Sequence, residues 1–171
     1  TRLSDQPILA PIDAHPWERA AVFNCGVTFD GELFHMLYRG ADRDFSVLKA
    51  AEPDPARKFV SSLGYAVSLD GVHFSRLDQP VFSGHGTQED WGVEDPRISY
   101  LDGEYYILYT GFGGRSWEDH RICMAKTRNF HTYQRLGVVL DEPNKDAGLL
   151  ETKVNGRYML FHRREPDIWA A

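Results

Sequence analysis

Two adjacent acids, Glu94 and Asp95, stand in the segment WGVEDPRI (Trp91 to Ile98), directly before a proline and an arginine. The segment follows a stretch rich in Gly, Ser and His and precedes an apolar strand pattern, so the acids are expected at the mouth of a strand. Pro96 lacks a backbone N–H and favours an extended conformation for the residue before it. An acid fixed there could act as a general acid or accept a hydrogen bond from a sugar hydroxyl. An ordinary ion pair between Asp95 and Arg97 that closes a turn would explain the same motif.

The composition indicates one globular domain over residues 1–171. Hydrophobic residues make up 42% of the chain and aromatic residues 13%, which is enough to bury a core. The formal net charge is −6, and the 19 basic residues form no run or stripe. A nucleic-acid partner is therefore not expected.

The two cysteines, Cys25 and Cys123, lie far apart with no CxxC spacing. We expect reduced thiols buried as small hydrophobic residues rather than a disulfide or a zinc site. No apolar run approaches the roughly 20 residues that span a bilayer. The first 17 residues carry three prolines and no basic-then-apolar leader, so we expect an extended arm over residues 1–20, no membrane contact and a cytoplasmic location.

Short apolar and aromatic runs, separated by Gly, Asp, Asn and Pro, predict an all-β chain, since apolar spacing of helical period and length is missing. Residues Ala21 to Phe29 and Glu32 to Gly40 form a predicted hairpin about Asp30-Gly31. Residues 41–57 form a polar insertion. Residues Leu63 to Leu77 read as a strand, a turn and a further strand.

The hairpin pattern then recurs, which is the strongest indication of the architecture. The segments Phe29 to Arg39, Leu101 to Thr110 and Val154 to Arg163 are three versions of one hairpin, and Ala66 to Leu77 matches Ala125 to Leu136. Loosely spaced repeats of a four-stranded unit predict the blades of a β-propeller.

Two sets of polar residues fall at equivalent places in these repeats: Arg39, Thr110 and Arg163 at the end of the second strand, and Asn24, Asp95 and Asp146 at the start of the first. The innermost strands of a propeller line a central channel, so equivalent positions converge on its axis. The sequence therefore predicts a pocket that combines carboxylates, an asparagine and two arginines. Arginines that merely cap turns at the surface remain the alternative.

Four ordered motifs carry a resemblance to a known family: FNCGV followed by LYRG, then GVEDPRI, then NKDAGLLETKVNGRYMLFHR, then PDIW. From Pro7 to Trp169 the chain resembles glycoside hydrolase family 130. That resemblance implies a five-bladed β-propeller and the activity of an inverting β-mannoside phosphorylase or of a related mannosidase.

The resemblance also implies roles for individual residues. Asp95 would be the catalytic acid, passing its proton through the mannose 3-hydroxyl to the glycosidic oxygen. Asn24 and Arg39 match positions of the sugar and phosphate site. Glu94 and Arg97 flank the acid and complete this part of the expected substrate site, and the alternative role for Glu94 is only to tune the acid.

The residues of the expected phosphate site lie in the motif NKDAGLLETKVNGRYMLFHR. Lys145 and Arg163 match basic positions that hold the attacking phosphate, with His162 beside them. Asp146 is expected to orient its neighbours or a sugar hydroxyl.

Phosphorolysis is favoured over hydrolysis on chemical grounds. An inverting hydrolase needs a second carboxylate as base, roughly 6.5–9.5 Å from the acid. A phosphorylase needs cations to hold a nucleophile that is already charged. One acid with Arg39, Lys145 and Arg163 fits the phosphorylase, with inorganic phosphate as co-substrate and no cofactor. The alternatives are a β-mannoside hydrolase and a noncatalytic sugar-binding propeller fragment.

Five aromatic side chains could stack on sugar rings, with Trp117 preferred because its loop is long enough to reach the pocket: Trp91, Trp117, Tyr38, Tyr109 and Phe112. Most aromatic residues must instead fill the core. No metal is expected, because the histidines show no HxH or HxxxH spacing. A serine nucleophile is unsupported, because GxSxG is missing.

Only about three of five expected repeats are present, and the sequence stops at PDIWAA. We therefore expect a truncated N-terminal part of such a propeller. Because open blade edges are pairing surfaces, the chain is expected to self-associate or to require a complementary half.

Overall fold

The computed structural model describes residues 4–45 and 51–171, and within these ranges the chain is built from strands and two short 3-10 helices. The first sheet has the order β1-β2-β3-β4, made of Ala21–Phe29, Phe34–Ala41, Ser61–Ser68 and Ser75–Arg76. The second has the order β5-β6-β7-β8, made of Val93–Leu101, Glu104–Phe112, His120–Thr127 and Gln134–Leu140. The third has the order β11-β10-β9, made of Asp167–Ala170, Leu160–Arg164 and Gly148–Leu149. The 3-10 helices are Pro55–Arg57 and Thr87–Glu89.

All strand pairs within the three sheets are antiparallel. The predicted all-β class and the predicted repeating units are therefore confirmed, with two four-stranded sheets and one three-stranded sheet. None of the described helices is long and apolar enough to cross a membrane.

The predicted hairpin turns form for a local reason. At Asp102-Gly103 both residues have positive φ, at 54° and 77°, and Asn155-Gly156 repeats this at 51° and 76°. Positive φ at both central positions is the type I′ geometry that joins twisted strands and that Asn, Asp and Gly tolerate best. The first turn is held differently, since the Asp30 carboxylate accepts from the backbone N–H of Leu33 at 2.8 Å.

The sheets pack on one another through side chains that alternate along the strands. Tyr109 of β6 shares a buried cluster with Leu37 and Leu63 of the first sheet, whereas its neighbour Leu108 shares one with Leu160 of the third sheet. Successive strand residues point to opposite faces, so β6 contributes to both clusters. Three strands, β1, β5 and β9, are the first along the chain in their sheets, and the stacking places β5 next to both β1 and β9.

The described part of the predicted arm lies against the first sheet rather than extending freely. Trp17 stacks on Tyr38 with ring centroids 5.9 Å apart. Glu18 is fully buried and pairs with Arg76 at 3.0 Å. Of the predicted insertion over residues 41–57, residues 46–50 lie outside the described ranges.

The two cysteines differ in environment. Cys123 is buried as predicted, and burial raises the pKa of its thiol to about 12, so that it stays protonated. Cys25 is exposed, and its prediction as a buried residue is wrong. It follows Asn24 at an irregularity of β1, and the alternation of strand faces therefore does not place it inside.

Candidate active site

One non-glycine residue with left-handed backbone lies near the start of β1, one near the start of β5 and one just before β9. These residues are Asn24, Asp95 and Asp146, with φ of 47°, 53° and 60°. In β1 and β5 the pairing register shifts at this point, between Phe23 and Gly26 and between Glu94 and Arg97. A bulge of this kind re-aims a side chain that would otherwise alternate across the sheet. The repeat therefore presents the same backbone feature to the site three times.

The register also confirms the equivalence predicted for Arg39, Thr110 and Arg163. Gly26 pairs with Leu37, Arg97 with Leu108 and Gly148 with Phe161. The residues two positions beyond these partners are Arg39, Thr110 and Arg163. The three residues thus lie at equivalent points, beside the bulges of β1 and β5 and beside the start of β9. Thr110 is buried, and its hydroxyl has no hydrogen-bond partner among the described residues.

Asp95 is not extended, so that prediction from Pro96 is wrong. A following proline mainly disfavours the right-handed helical region, and here the bulge selects the left-handed one. The carboxylate is 6% exposed, and its Oδ1 accepts from Asn24 Nδ2 at 2.9 Å and from Arg39 at 3.2 Å. Within residues 4–45 and 51–171 both hydrogen bonds to this carboxylate go to Oδ1, which leaves Oδ2 available to a ligand.

Arg39 is enclosed by the protein. Its Nε donates to Ser61 Oγ at 2.9 Å, and a terminal nitrogen donates to Glu94 Oε1 at 2.7 Å. The guanidinium carbon lies 4.7 Å from the ring centroid of Phe23. With the hydrogen bond to Asp95, every guanidinium nitrogen has a partner. These bonds fix the plane of the guanidinium group and the position of the Asp95 carboxylate that it contacts.

Glu94 joins Arg39 to the third sheet. Its other oxygen, Oε2, accepts from Lys145 Nζ at 2.8 Å, and the residue is 1% exposed. One buried carboxylate therefore bridges two cations, one from β2 and one from the segment before β9.

The Asp146 carboxylate pairs with two arginines. Arg163 approaches at 3.1 Å and Arg97 at 3.6 Å. Arg97 thus pairs with Asp146 rather than with Asp95, so the alternative of an Asp95–Arg97 pair that closes a turn is wrong. The side chains of Arg163 and Arg97 remain about half exposed, at 48% and 41%, and can reach a ligand.

A buried asparagine that the sequence reasoning missed orders the predicted phosphate residues. Asn144 donates to His162 Nδ1 at 3.0 Å and to the Arg163 carbonyl at 2.7 Å. It therefore ties β10 to the segment that carries Lys145. Asn144 stands directly before Lys145 in the NKDAG motif, and this position could have identified it from the sequence.

A cavity of about 440 Å³ opens beside these cations. Its lining includes Lys145, Arg163, Asn144 and a second missed residue, His120. The Nδ1 of His120 lies 2.9 Å from the Trp117 carbonyl, which can only accept, so Nδ1 carries the proton. Burial lowers the pKa of His120, which keeps the ring neutral near pH 7.

The aromatic predictions largely fail. Trp91, Tyr38, Tyr109 and Phe112 are buried and serve the core instead of offering a face to a sugar. Trp117 is partly buried, with its ring centroid 6.1 Å from those of both Trp91 and Phe112. Its contact with substrate stays a prediction.

The polar site holds no evident metal set. Within residues 4–45 and 51–171, no three His, Cys, Asp or Glu side chains are grouped so that they could bind an ion. The cluster instead consists of carboxylates balanced by arginines and a lysine. Such a cluster can hold an acid in place and attract an anion.

The stacked antiparallel sheets define a β-propeller protein with an ionic site where β1, β5 and the segment before β9 meet. A family model described as β-1,4-mannooligosaccharide phosphorylase matches residues 7–171. The chain belongs to glycoside hydrolase family 130, whose structural relatives are five-bladed β-propellers.

Individual relatives agree with this membership. The chain is 56% identical over 171 residues to a β-1,2-mannobiose phosphorylase from Thermoanaerobacter sp. (strain X514), covering 100% of this chain and 56% of that protein. It is 52% identical over 170 residues to a 1,2-β-oligomannan phosphorylase from the same strain, covering 99% of this chain and 55% of that protein. A crystal structure of a glycosyl hydrolase from Bacteroides ovatus superposes with a TM-score of 0.80 at 26% identity, covering 99% of this chain and 53% of that one. The chain spans about half the length of the curated relatives that it matches.

Proposed function

We propose that this protein provides the acid and phosphate-binding residues for inverting phosphorolysis of β-mannosides. The observation that carries the proposal is the contact of buried Asp95 with Arg39, whose other partner, Glu94, holds Lys145. An acid and an anion-binding cation are thereby linked in one cluster. The names of the relatives at 56% and 52% identity support the same reaction class.

In the proposed reaction, Asp95 supplies the proton. The proton passes through the 3-hydroxyl of the mannosyl unit to the glycosidic oxygen, and the bond from C1 to that oxygen breaks. A phosphate oxygen attacks C1 from the opposite face and forms the new C–O bond, so the product is α-mannose 1-phosphate. No general base is needed because phosphate is already a nucleophile.

Lys145 and Arg163 are the proposed phosphate ligands. Both line the 440 Å³ cavity, and both keep part of the side chain exposed, 31% for Lys145 and 48% for Arg163. Glu94 uses one of the three ammonium donors of Lys145, leaving two for phosphate oxygens. The buried His162 and Asn144 support this side of the cavity from behind.

The linkage that we propose first is β-1,2, because the two relatives above 50% identity act on β-1,2-linked mannosides by name. The description of the family model makes β-1,4 the second candidate.

The test is phosphate-dependent release of mannose 1-phosphate from β-1,2-mannobiose, β-1,4-mannobiose and mannosylglucose. The chain is assayed alone and mixed with the part of the 56% identical relative that the match leaves uncovered. We expect product only with phosphate and fastest turnover on the β-1,2 disaccharide. Free mannose released without phosphate would make the protein a hydrolase. Binding without turnover in an ordered complex would make it a sugar-binding protein.

We further propose that the third sheet is covered in the working protein by a second copy or by a complementary propeller segment. Ile168 and Trp169 of β11 are 67% and 48% exposed, and Phe161 of β10 is 40% exposed. Phe161 and Ile168 lie on one face of this sheet, and Trp169 lies on the other. Exposed apolar side chains on a short sheet are typical of an interaction surface.

Light scattering is expected to show concentration-dependent association of the chain alone. Ile168→Lys is expected to weaken it, because a charge would have to be buried in the contact. Leu69→Lys is the matched control, since Leu69 is 81% exposed at a turn of the first sheet. A monomer at every concentration, unaffected by the complementary segment, would refute the proposed contact.

We place the protein in the cytoplasm on the evidence of its two free thiols, one of which, Cys25, is exposed. Exposed unpaired cysteines are typical of a reducing compartment.

A further inference from the structure

Glu94 is the most enclosed charged group at the site. It is 1% exposed, and its two oxygens contact cations from β2 and from the segment before β9: Arg39 at 2.7 Å and Lys145 at 2.8 Å. Burial of a carboxylate is costly unless partners compensate for the lost hydration. A side chain that only filled space here could be apolar, so the retained charge calls for a specific explanation.

The contacts of Glu94 connect the two ends of the proposed reaction. On one side, Arg39 also holds the Asp95 carboxylate at 3.2 Å. On the other side, Lys145 reaches the cavity that Arg163 lines. Glu94 makes no described hydrogen bond to Asp95 and is not among the residues that line the cavity. It contacts Arg39, which holds Asp95, and Lys145, which lines the cavity.

We propose that Glu94 is a positioning residue that acts as an internal counter-anion: it holds Arg39 and Lys145 in place and at the same time limits the affinity of the site for phosphate. This inference rests on the proposed function, because it assigns Lys145 to phosphate. It replaces the expectation that Glu94 contacts substrate directly.

The limit on affinity follows from charge. A phosphate dianion bound to Lys145 shares the ammonium with Glu94, and the two anions repel each other in a site partly shielded from water. The benefit appears in the transition state, where a fixed ammonium and a fixed acid stabilise the reacting groups without reorganisation. Glu94 thus weakens ground-state binding and improves turnover, which is the differential binding that raises kcat.

Two substitutions separate the effect of the charge of Glu94 from the effect of its side-chain length. Glu94→Gln removes the charge and keeps the length, so we expect KM for phosphate to fall about fivefold while kcat falls at least about tenfold. Glu94→Asp keeps the charge but is too short to span both cations. We expect it to lower kcat by about tenfold and to leave KM for phosphate within about twofold.

Glu104→Gln is the matched control. Glu104 also bridges two cations, Lys126 at 2.7 Å and Arg128 at 3.2 Å, but it lies at the start of β6 with a side chain 17% exposed. We expect neither kinetic constant to change. An unchanged or raised KM for phosphate in folded Glu94→Gln would overturn the counter-anion role. Wild-type kcat in Glu94→Asp would overturn the positioning role, and would do so even if Glu94→Gln failed to fold.

Calorimetry with inorganic phosphate separates this inference from the proposed function. If the wild-type chain, mixed with the uncovered part of the 56% identical relative, shows no phosphate-dependent turnover, the proposed function fails. Tighter phosphate binding in Glu94→Gln than in wild type would still support the counter-anion role. Equal binding in the two proteins would overturn it.

Discussion

Asp95→Asn is expected to lower kcat by about 10³-fold, because it removes the proton donor while keeping the shape of the side chain. The amide oxygen can still accept from Asn24 and Arg39 as Oδ1 does at 2.9 and 3.2 Å. Mannoside binding should therefore persist within a few fold. Turnover is measured as mannose 1-phosphate release, and binding by calorimetry with the same disaccharide.

Asp102→Asn is the control for this substitution. Asp102 has the same left-handed backbone, with φ of 54° against 53° for Asp95, but it lies in a hairpin turn and contacts Lys153. Turnover of this variant should match the wild type. If Asp95→Asn retained more than about a tenth of wild-type kcat, Asp95 would not be the acid.

Arg39→Met is expected to lower the free energy of unfolding by about 3–5 kcal/mol and to abolish turnover. The change leaves the Asp95 carboxylate without its cation and Glu94 with Lys145 alone, and an uncompensated buried charge is strongly destabilising. Arg39→Lys should recover only part of the stability, because an ammonium cannot reproduce the fork that bonds Ser61, Glu94 and Asp95. Urea denaturation measures both effects.

Arg128→Met provides the comparison with an exposed pair. Arg128 lies 3.2 Å from Glu104, and its side chain is 76% exposed. Such pairs contribute about 0–1 kcal/mol. A loss below about 1 kcal/mol for Arg39→Met as well would mean that the buried cluster does not depend on Arg39 in the way its contacts indicate.

The three left-handed residues suggest how one repeat produces a composite site. Asn24, Asp95 and Asp146 occupy the same place in successive sheets, yet they differ in chemistry. The first donates to Asp95, the second is the proposed acid, and the third pairs with Arg163. Asn and Asp tolerate positive φ better than other non-glycine residues, so the bulge itself restricts which side chains can occupy the position.

Local chemistry made much of the architecture readable in the sequence. The turns at Asp102-Gly103 and Asn155-Gly156 depend on two residues and their φ angles. The equivalence of Arg39, Thr110 and Arg163 depends on a repeat that can be aligned by eye. The propeller class, the inner-strand positions and the acid segment followed from these features together with the family resemblance.

The ion-pair partners of the charged residues could not be predicted from the sequence in this way. Arg97 is two residues from Asp95 but pairs with Asp146, and Glu94 meets Arg39 and Lys145 from other sheets. The exposure of Cys25 depends on an irregularity that strand alternation does not reveal.

The sequence by itself determined the strands, the hairpin turns and which residues are equivalent between sheets, because these depend on neighbours along the chain. Only the tertiary structure decided that Asp95 takes a left-handed backbone, that Arg39 is enclosed and that Glu94 bridges two cations. These features depend on the stacking of sheets that are far apart along the chain, as Asn24 and Asp95 are with a separation of 71 residues. Such contacts follow from packing and charge compensation between sheets, which no local pattern specifies.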